Sequence, residues 1–285
     1  MTAVIDAAAC PWRPGEPAGL VEWSEAQAYA ALIDAAPDAL RQGLKLRIAP
    51  VAGACGLVAS GIASTLMLNR VIGLGMAQPA DDAALDRIAS TYRDAGVPAH
   101  AVELCPTAMP AGLGERLSAR GYVPFKRTTM MARPCTPLAG LAAEPGKGRR
   151  AEIDEAGAWA TLACSVFGFD ANMHAILQGT FGHAEWQHWV AVCDGEISAA
   201  AVTHLVGETA WIGWVCTEPR FRGRGLQRQI TAAQLSAASD AGVRWITLEA
   251  ATGSPSRPGA SLRNYRRMGF QAVHDRLTYL QRSAG

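Results

Sequence analysis

Val215-Cys-Thr-Glu-Pro-Arg-Phe-Arg-Gly-Arg-Gly-Leu-Gln227 is the stretch on which the fold turns. Apolar text runs into it from Thr209, and Leu226–Ala241 follows as a helix closed by Gly242. The stretch is therefore a strand-to-helix turn. Gly223 and Gly225 let the backbone bend tightly and approach a ligand without a Cβ in the way. The first amides of a helix lack intrahelical acceptors, and the positive end of the helix dipole attracts anions. Arg220, Arg222, Arg224 and Arg228 bring positive charge to the same place. These features describe a phosphate or pyrophosphate cradle. No Lys-Ser/Thr follows the glycines, so it is not a P-loop. Arg228 stands where a dinucleotide-binding turn needs its third glycine.

Composition sets the surroundings. The chain has 285 residues, 49% hydrophobic and 18% charged, which supports a sizeable core and suggests two domains. Lys plus Arg is 26 and Asp plus Glu is 25, a net charge of +1. That balance argues against a nucleic-acid-coating protein or a polybasic membrane surface. The seven cysteines are widely spaced without a C-x-x-C, so neither a disulfide framework nor a metal site is expected, and the reducing cytoplasm fits. Met1–Glu16 has no basic region ahead of an apolar run, so no signal peptide is expected. The uncharged segment Ala49–Asn69 is long enough to cross a bilayer. Its glycines and Pro50 favour short buried strands instead.

Outward from the turn, the pattern is α/β. Asp154–Val166 and Ala171–Gln178 read as helices. Trp189–Cys193 and Glu196–His204 read as strands joined by Asp194-Gly195, a hairpin signal. Val243–Ala250 is an apolar strand, Ser261–Met268 a helix and Gln271–Leu280 the last strand. In the first half, Trp23–Gln42 reads as a helix capped by Ser24 and split at Pro37. Strands are expected in Leu44–Pro50, Leu66–Leu74, His100–Leu104 and Val123–Ala132, with helices at Asp81–Ala95 and Gly112–Arg120. The halves echo each other. Asp94-Ala95-Gly96-Val97 matches Asp240-Ala241-Gly242-Val243, and Gly121-Tyr122 matches Gly269-Phe270. This predicts a duplicated domain, with 1–133 and 151–285 as the two copies and the Pro/Gly-rich 134–150 as linker.

Arg220-x-x-Gly223-x-Gly225 resembles the [RQ]-x-x-G-x-[GA] motif of the GNAT superfamily of acyl-CoA-dependent N-acyltransferases. Asn264-Tyr265-Arg266-Arg267-Met268-Gly269-Phe270 resembles that family's L-Y-x-x-x-G-F helix ending, with Asn264 replacing leucine. The order of elements after residue 151 is similar too. The resemblance implies two GNAT-like domains, each a mixed, mostly antiparallel twisted sheet flanked by helices. It implies acetyl-CoA as co-substrate, without a metal. Val215, Cys216 and Thr217 would pair their backbone with pantetheine. Arg220, Arg222, Gly223, Arg224, Gly225, Leu226 and Gln227 would bind the pyrophosphate, with Asn264 beside them. Tyr265 falls where the family often places its general acid.

Glu249 is the expected base for the acceptor amine, directly or through water. His174, His183, His188 and His204 are other candidates; His183 and His188 do not share a helical face and are not expected to ligate metal. The acceptor pocket is expected from Phe167, Phe169, Asp170, Met173, Trp211 and Trp214, with Asp170 meeting a substrate ammonium. Cys216 has no His or Asp beside it in sequence, so direct attack in a ternary complex is expected. In the first half, Leu74–Pro79 corresponds to the cradle but lacks arginine, Asp81 and Asp82 open the next helix, and Leu117 takes the place of Tyr265. That half is expected to be a degenerate copy. The expected activity is acetyl transfer to the amine of a small molecule, by a monomer or homodimer without nucleic acid or membrane. The alternative is a non-catalytic acyl-CoA sensor.

Overall fold

The computed structural model describes residues 10, 12–13, 15–136, 148–254 and 257–282. Residues 137–147 of the expected linker, and much of the segment read for a signal peptide, lie outside the described residues. In chain order the elements are α1 (Pro17–Ala35), α2 (Asp38–Gly43), β1 (Leu46–Ile48), β2 (Cys55–Ala59), β3 (Arg70–Ile72), α3 (Asp82–Asp94), β4 (Ala99–Leu104), α4 (Leu113–Ser118) and β5 (Val123–Pro134). There follow β6 (Arg149–Arg150), α5 (Ala156–Phe167), α6 (Ala171–Gly179), β7 (Trp186–Cys193), β8 (Glu196–Val206), β9 (Thr209–Thr217) and α7 (Leu226–Asp240). The chain then forms β10 (Trp245–Ala251), β11 (Gly253–Ser254), β12 (Arg257–Pro258), α8 (Ala260–Arg267) and β13 (Gln271–Arg282).

The two compact units are not contiguous in sequence. The first contains Met1–Met131, Ala250–Gly259 and Ala272–Gly285; the second contains Ala132–Glu249 and Ala260–Gln271. This differs from a simple cut into 1–133 and 151–285. Strand β13 pairs antiparallel with β4, from Leu277↔Leu104 to Arg282↔Ala99. Local periodicity identifies β13 as a strand, but it cannot say between which strands the C-terminal strand inserts; β13 lies between β4 and β5.

In the first unit the strand order is β1-β2-β3-β4-β13-β5. β1, β2 and β3 form an antiparallel meander, and β3 pairs parallel with β4. Helix α1 starts at Pro17, whose fixed φ suits a first turn. Ser24, expected as its cap, instead lies buried inside the helix and donates to the Val21 carbonyl at 3.2 Å. The break at Pro37 is present. Ala49–Asn69 contains β2, every residue of which is buried, and two short 3-10 turns. Among the described residues no helix is long and apolar enough to cross a membrane.

This unit also holds a buried charge cluster. Arg70 donates to Glu25 at 2.8 Å and Glu103 at 3.0 Å, and its guanidinium lies over the Tyr29 ring. Arg276 donates to Glu25 at 2.7 Å and Glu22 at 3.2 Å. His274 Nε2 lies 2.8 Å from Glu22 Oε1. Burial alone would lower the His274 pKa; hydrogen bonds with Cys105 and Glu22 outweigh it and lift it to about 9.

The second unit runs β10-β9-β8-β7-β6. β7, β8 and β9 form an antiparallel meander, and β9 pairs parallel with β10. One sheet face sets Trp189, Ala191, Ala199 and Ala201 against Phe221, Leu226, Ile230 and Ala233, which anchors the start of α7. Toward α5, the buried Trp159 indole donates to the Trp189 and Ala201 carbonyls, each at 3.2 Å.

Candidate functional site

The site begins where β9 leaves β10. Their parallel register runs from Thr209↔Trp245 to Ile212↔Leu248 and stops. On its other side β9 stays paired with β8 through Cys216↔Ala200 and Thr217↔Ala199. Between Val202↔Gly213 and Ala200↔Cys216, β8 advances two residues and β9 three, so β9 carries a bulge. Trp214 lies inside it with φ +46°, in the left-handed region. A bulge bends its strand, and here it falls where β9 parts from β10. Val215–Thr217 thus present a backbone edge with no β10 partner in that register.

After β9 the chain makes a 3-10 turn at Pro219–Phe221 and enters α7 through Gly223 and Gly225, with φ +81° and +79°. A Cβ at either glycine would meet nothing within 4 Å. Gly225 is the N-cap of α7, and no side chain caps that helix. Its first amides are therefore left for a ligand or water. A cleft of ≈ 880 Å³ opens beside them. It is lined by Val215, Cys216 and Thr217 from β9, by Arg222, Gly223, Gly225, Leu226, Gln227 and Arg228, and by Ser261, Asn264 and Arg267 from α8.

The arginines divide into two pairs. Arg222 and Arg228 line the cleft, and Arg222 Nε donates to the Thr217 carbonyl at 3.3 Å. Arg220 is bound by Glu218 and Glu196, and Arg224 by Asp194 at 3.2 Å. Both lie over the Phe221 ring. The β7–β8 hairpin, which supplies Asp194 and Glu196, neutralises them. Four arginines in sequence therefore do not mean four charges facing the cleft, because long-range carboxylates are invisible in local text.

Asn264 Nδ2 donates to Gln227 Oε1 at 2.8 Å, tying α8 to the first turn of α7. Ser261 and Arg267, three residues to either side of Asn264, share its helix face; that spacing was available in the sequence. Val166, at the end of α5, also reaches the cleft.

Tyr265 is buried and is not among the cleft-lining residues. Burial pushes its hydroxyl up to about 12, against a lowering hydrogen bond with Gln227. Glu249 is half-buried, one residue past the last β9–β10 pair. Burial pushes the Cys216 thiol up to about 12, so it is a poor nucleophile.

The expected acceptor residues fall into separate groups. Phe167 and Phe169 stack at 5.5 Å, with Phe167 exposed. Trp211 and Trp214 meet edge-to-face at 5.6 Å, and Trp186 stacks on Trp214 at 5.8 Å; all three are buried. Asp170 caps α6 by accepting the Met173 amide at 3.0 Å, and the Met173 side chain lies in the core. None of the four candidate histidines lines the cleft. His174 meets Thr161, His183 lies 3.8 Å from Glu185, and His188 stacks on Phe181. Burial lowers His204, packed against Trp186, to about 4.

An antiparallel meander, a parallel strand parting from it and an uncapped helix beside the gap define a mixed α/β fold built around an open glycine turn. Residues 184–272 match the family model for the acetyltransferase (GNAT) domain, and the protein carries a GNAT domain there. No curated protein matches the sequence. Solved structures share the fold over most of the chain. A GCN5-related N-acetyltransferase from Kribbella flavida is 22% identical with TM-score 0.62, over 90% of this chain and 96% of its own. A conserved protein of unknown function from Staphylococcus epidermidis is 10% identical with TM-score 0.61, over 85% and 96%. A tandem GNAT protein from the clavulanic acid biosynthesis pathway is 16% identical with TM-score 0.55, over 76% and 75%.

Proposed function

We propose that the second unit is an N-acetyltransferase that moves an acetyl group from acetyl-CoA to the amine of a small molecule, by direct attack in a ternary complex. The carrying observation is the open cleft that joins the unpaired β9 edge to the uncapped start of α7. Pantetheine amides would add to Val215–Thr217 as an extra strand edge. The pyrophosphate would take the amides after Gly223 and Gly225, with Arg222 and Arg228 beside it. The acyl thioester would then reach the gap between β9 and β10. Glu249, just past the last paired residue of β10, is assigned as the base, directly or through water. Tyr265, held protonated by burial, is assigned as the acid for the departing thiolate. Phe167 and Phe169, at the end of α5 and just after it, are assigned to an apolar acceptor subsite, while Trp211 and Trp214 are buried in the core.

One observation favours the sensor reading: Tyr265 is buried against Gln227 and does not line the cleft. Two measurements separate the readings. Calorimetry reads acetyl-CoA binding, and free-thiol release across amino acids, polyamines, aminoglycosides, aryl amines and peptides reads turnover. Binding with acceptor-dependent thiol release supports the transferase. Binding without release across the panel favours a sensor, and no binding overturns both.

A further inference from the structure

We propose that Glu22, Cys105 and His274 form a binding site for one divalent cation of borderline softness, with zinc as the reference metal. Glu22 lies on α1, Cys105 directly after β4 and His274 on β13, all within the first unit. One donor atom from each lies within 4.8 Å of the other two. With metal–ligand bonds of about 2.0–2.3 Å, tetrahedral donors stand roughly 3.3–3.6 Å apart, so small side-chain movements suffice. A carboxylate oxygen, a thiolate and an imidazole are the donor set that suits zinc and its neighbours better than calcium or magnesium.

Two further observations point to a cation. Glu22 and Cys105 are almost fully buried, and the His274 side chain is 8% exposed. His274 is set against both Glu22 and Cys105, the other two members of the trio. The surroundings hold the donors in place. Arg276 engages the second oxygen of Glu22 at 3.2 Å, and Cys105 Sγ lies 3.3 Å from Thr107 Oγ1. Outer contacts of this kind orient metal ligands. Binding releases two protons to solvent, one from the Cys105 thiol and one from the His274 imidazolium, and replaces the 2.8 Å His274–Glu22 hydrogen bond with bonds to the metal.

Because the donors are buried, the test loads metal during folding in the cell. The full chain is purified from cobalt-supplemented and zinc-supplemented cultures and dialysed. Metal content is read by mass spectrometry, and the cobalt form by its thiolate-to-metal charge-transfer band. The expected result is about one metal per chain with that band present. Cys105→Ser and His274→Ala should lose both, and Cys164→Ala should keep them. Wild-type protein without bound metal overturns the proposal, as does bound cobalt without a thiolate band or a band that survives Cys105→Ser. If the variants do not fold, the wild-type spectrum and stoichiometry still decide.

Discussion

In the second unit Gly223 and Gly225 follow β9 and face open space; in the first, Gly73 and Gly75 follow β3 and face filled space. All four have positive φ, and β3 pairs parallel with β4 as β9 does with β10. A Cβ at Gly73 would lie 2.1 Å from the Trp12 ring, and one at Gly75 would lie 2.5 Å from the Met109 carbonyl oxygen. The helix starts differ as well. No side chain caps α7, whereas Asp81 caps α3 by accepting the Ala84 amide at 2.7 Å. Asp82 in the first turn of α3 is bound by Arg116 and Arg120 at 2.7 and 2.8 Å. Two glycines after a strand therefore make a cradle only where the space above them and the amides beyond them remain open. In the first unit the same spacing serves close packing.

The largest expected effect comes from closing the open cradle. Gly225→Asp sets a carboxylate at the start of α7, and acetyl-CoA affinity should fall about 100-fold, on the order of 3 kcal/mol, while the chain stays folded. Unchanged affinity by calorimetry would remove the cradle from the account. Next is Tyr265, whose place in the first unit is matched to the buried Leu117. Tyr265→Phe should lower turnover about 100-fold with little change in acetyl-CoA affinity. Full turnover would leave Tyr265 a packing residue. In the filled turn, Gly75→Ala should cost roughly 2–3 kcal/mol, because its Cβ meets backbone atoms and its φ is strained. Urea unfolding reads that loss, and acetyl-CoA affinity of the folded chain should not move. A stability-neutral Gly75→Ala would mean that the turn can open. The smallest effect is Asp81→Ala, about 1 kcal/mol by the same urea measurement, from the lost α3 cap.

Much of the site was legible because its signals are local. Gly223, Gly225 and the following helix lie within a few residues of one another, and the positions of Asn264, Arg267 and Ser261 follow from helical spacing. What was not legible depends on distant partners. Glu196 and Asp194 neutralise Arg220 and Arg224 from the β7–β8 hairpin. Asp170, expected to meet a ligand, caps its own helix, a role its position ahead of α6 allowed. Ser24 was read as a cap because it precedes a periodic run, but Pro17 starts the helix about two turns earlier.

The sequence alone determined the alternation of helices and strands, the strand–turn–helix unit at Val215–Gln227 and the repetition of that order in both halves. Those features rest on periodicity, glycine conformational freedom and capping, all of which act within a few residues. Tertiary structure alone decided that β13 pairs with β4, that Trp12 and Met109 cover Gly73 and Gly75, and that Glu22, Cys105 and His274 meet. Contacts between residues so far apart depend on which surfaces remain to be buried once local elements have formed, and no short stretch of sequence encodes that.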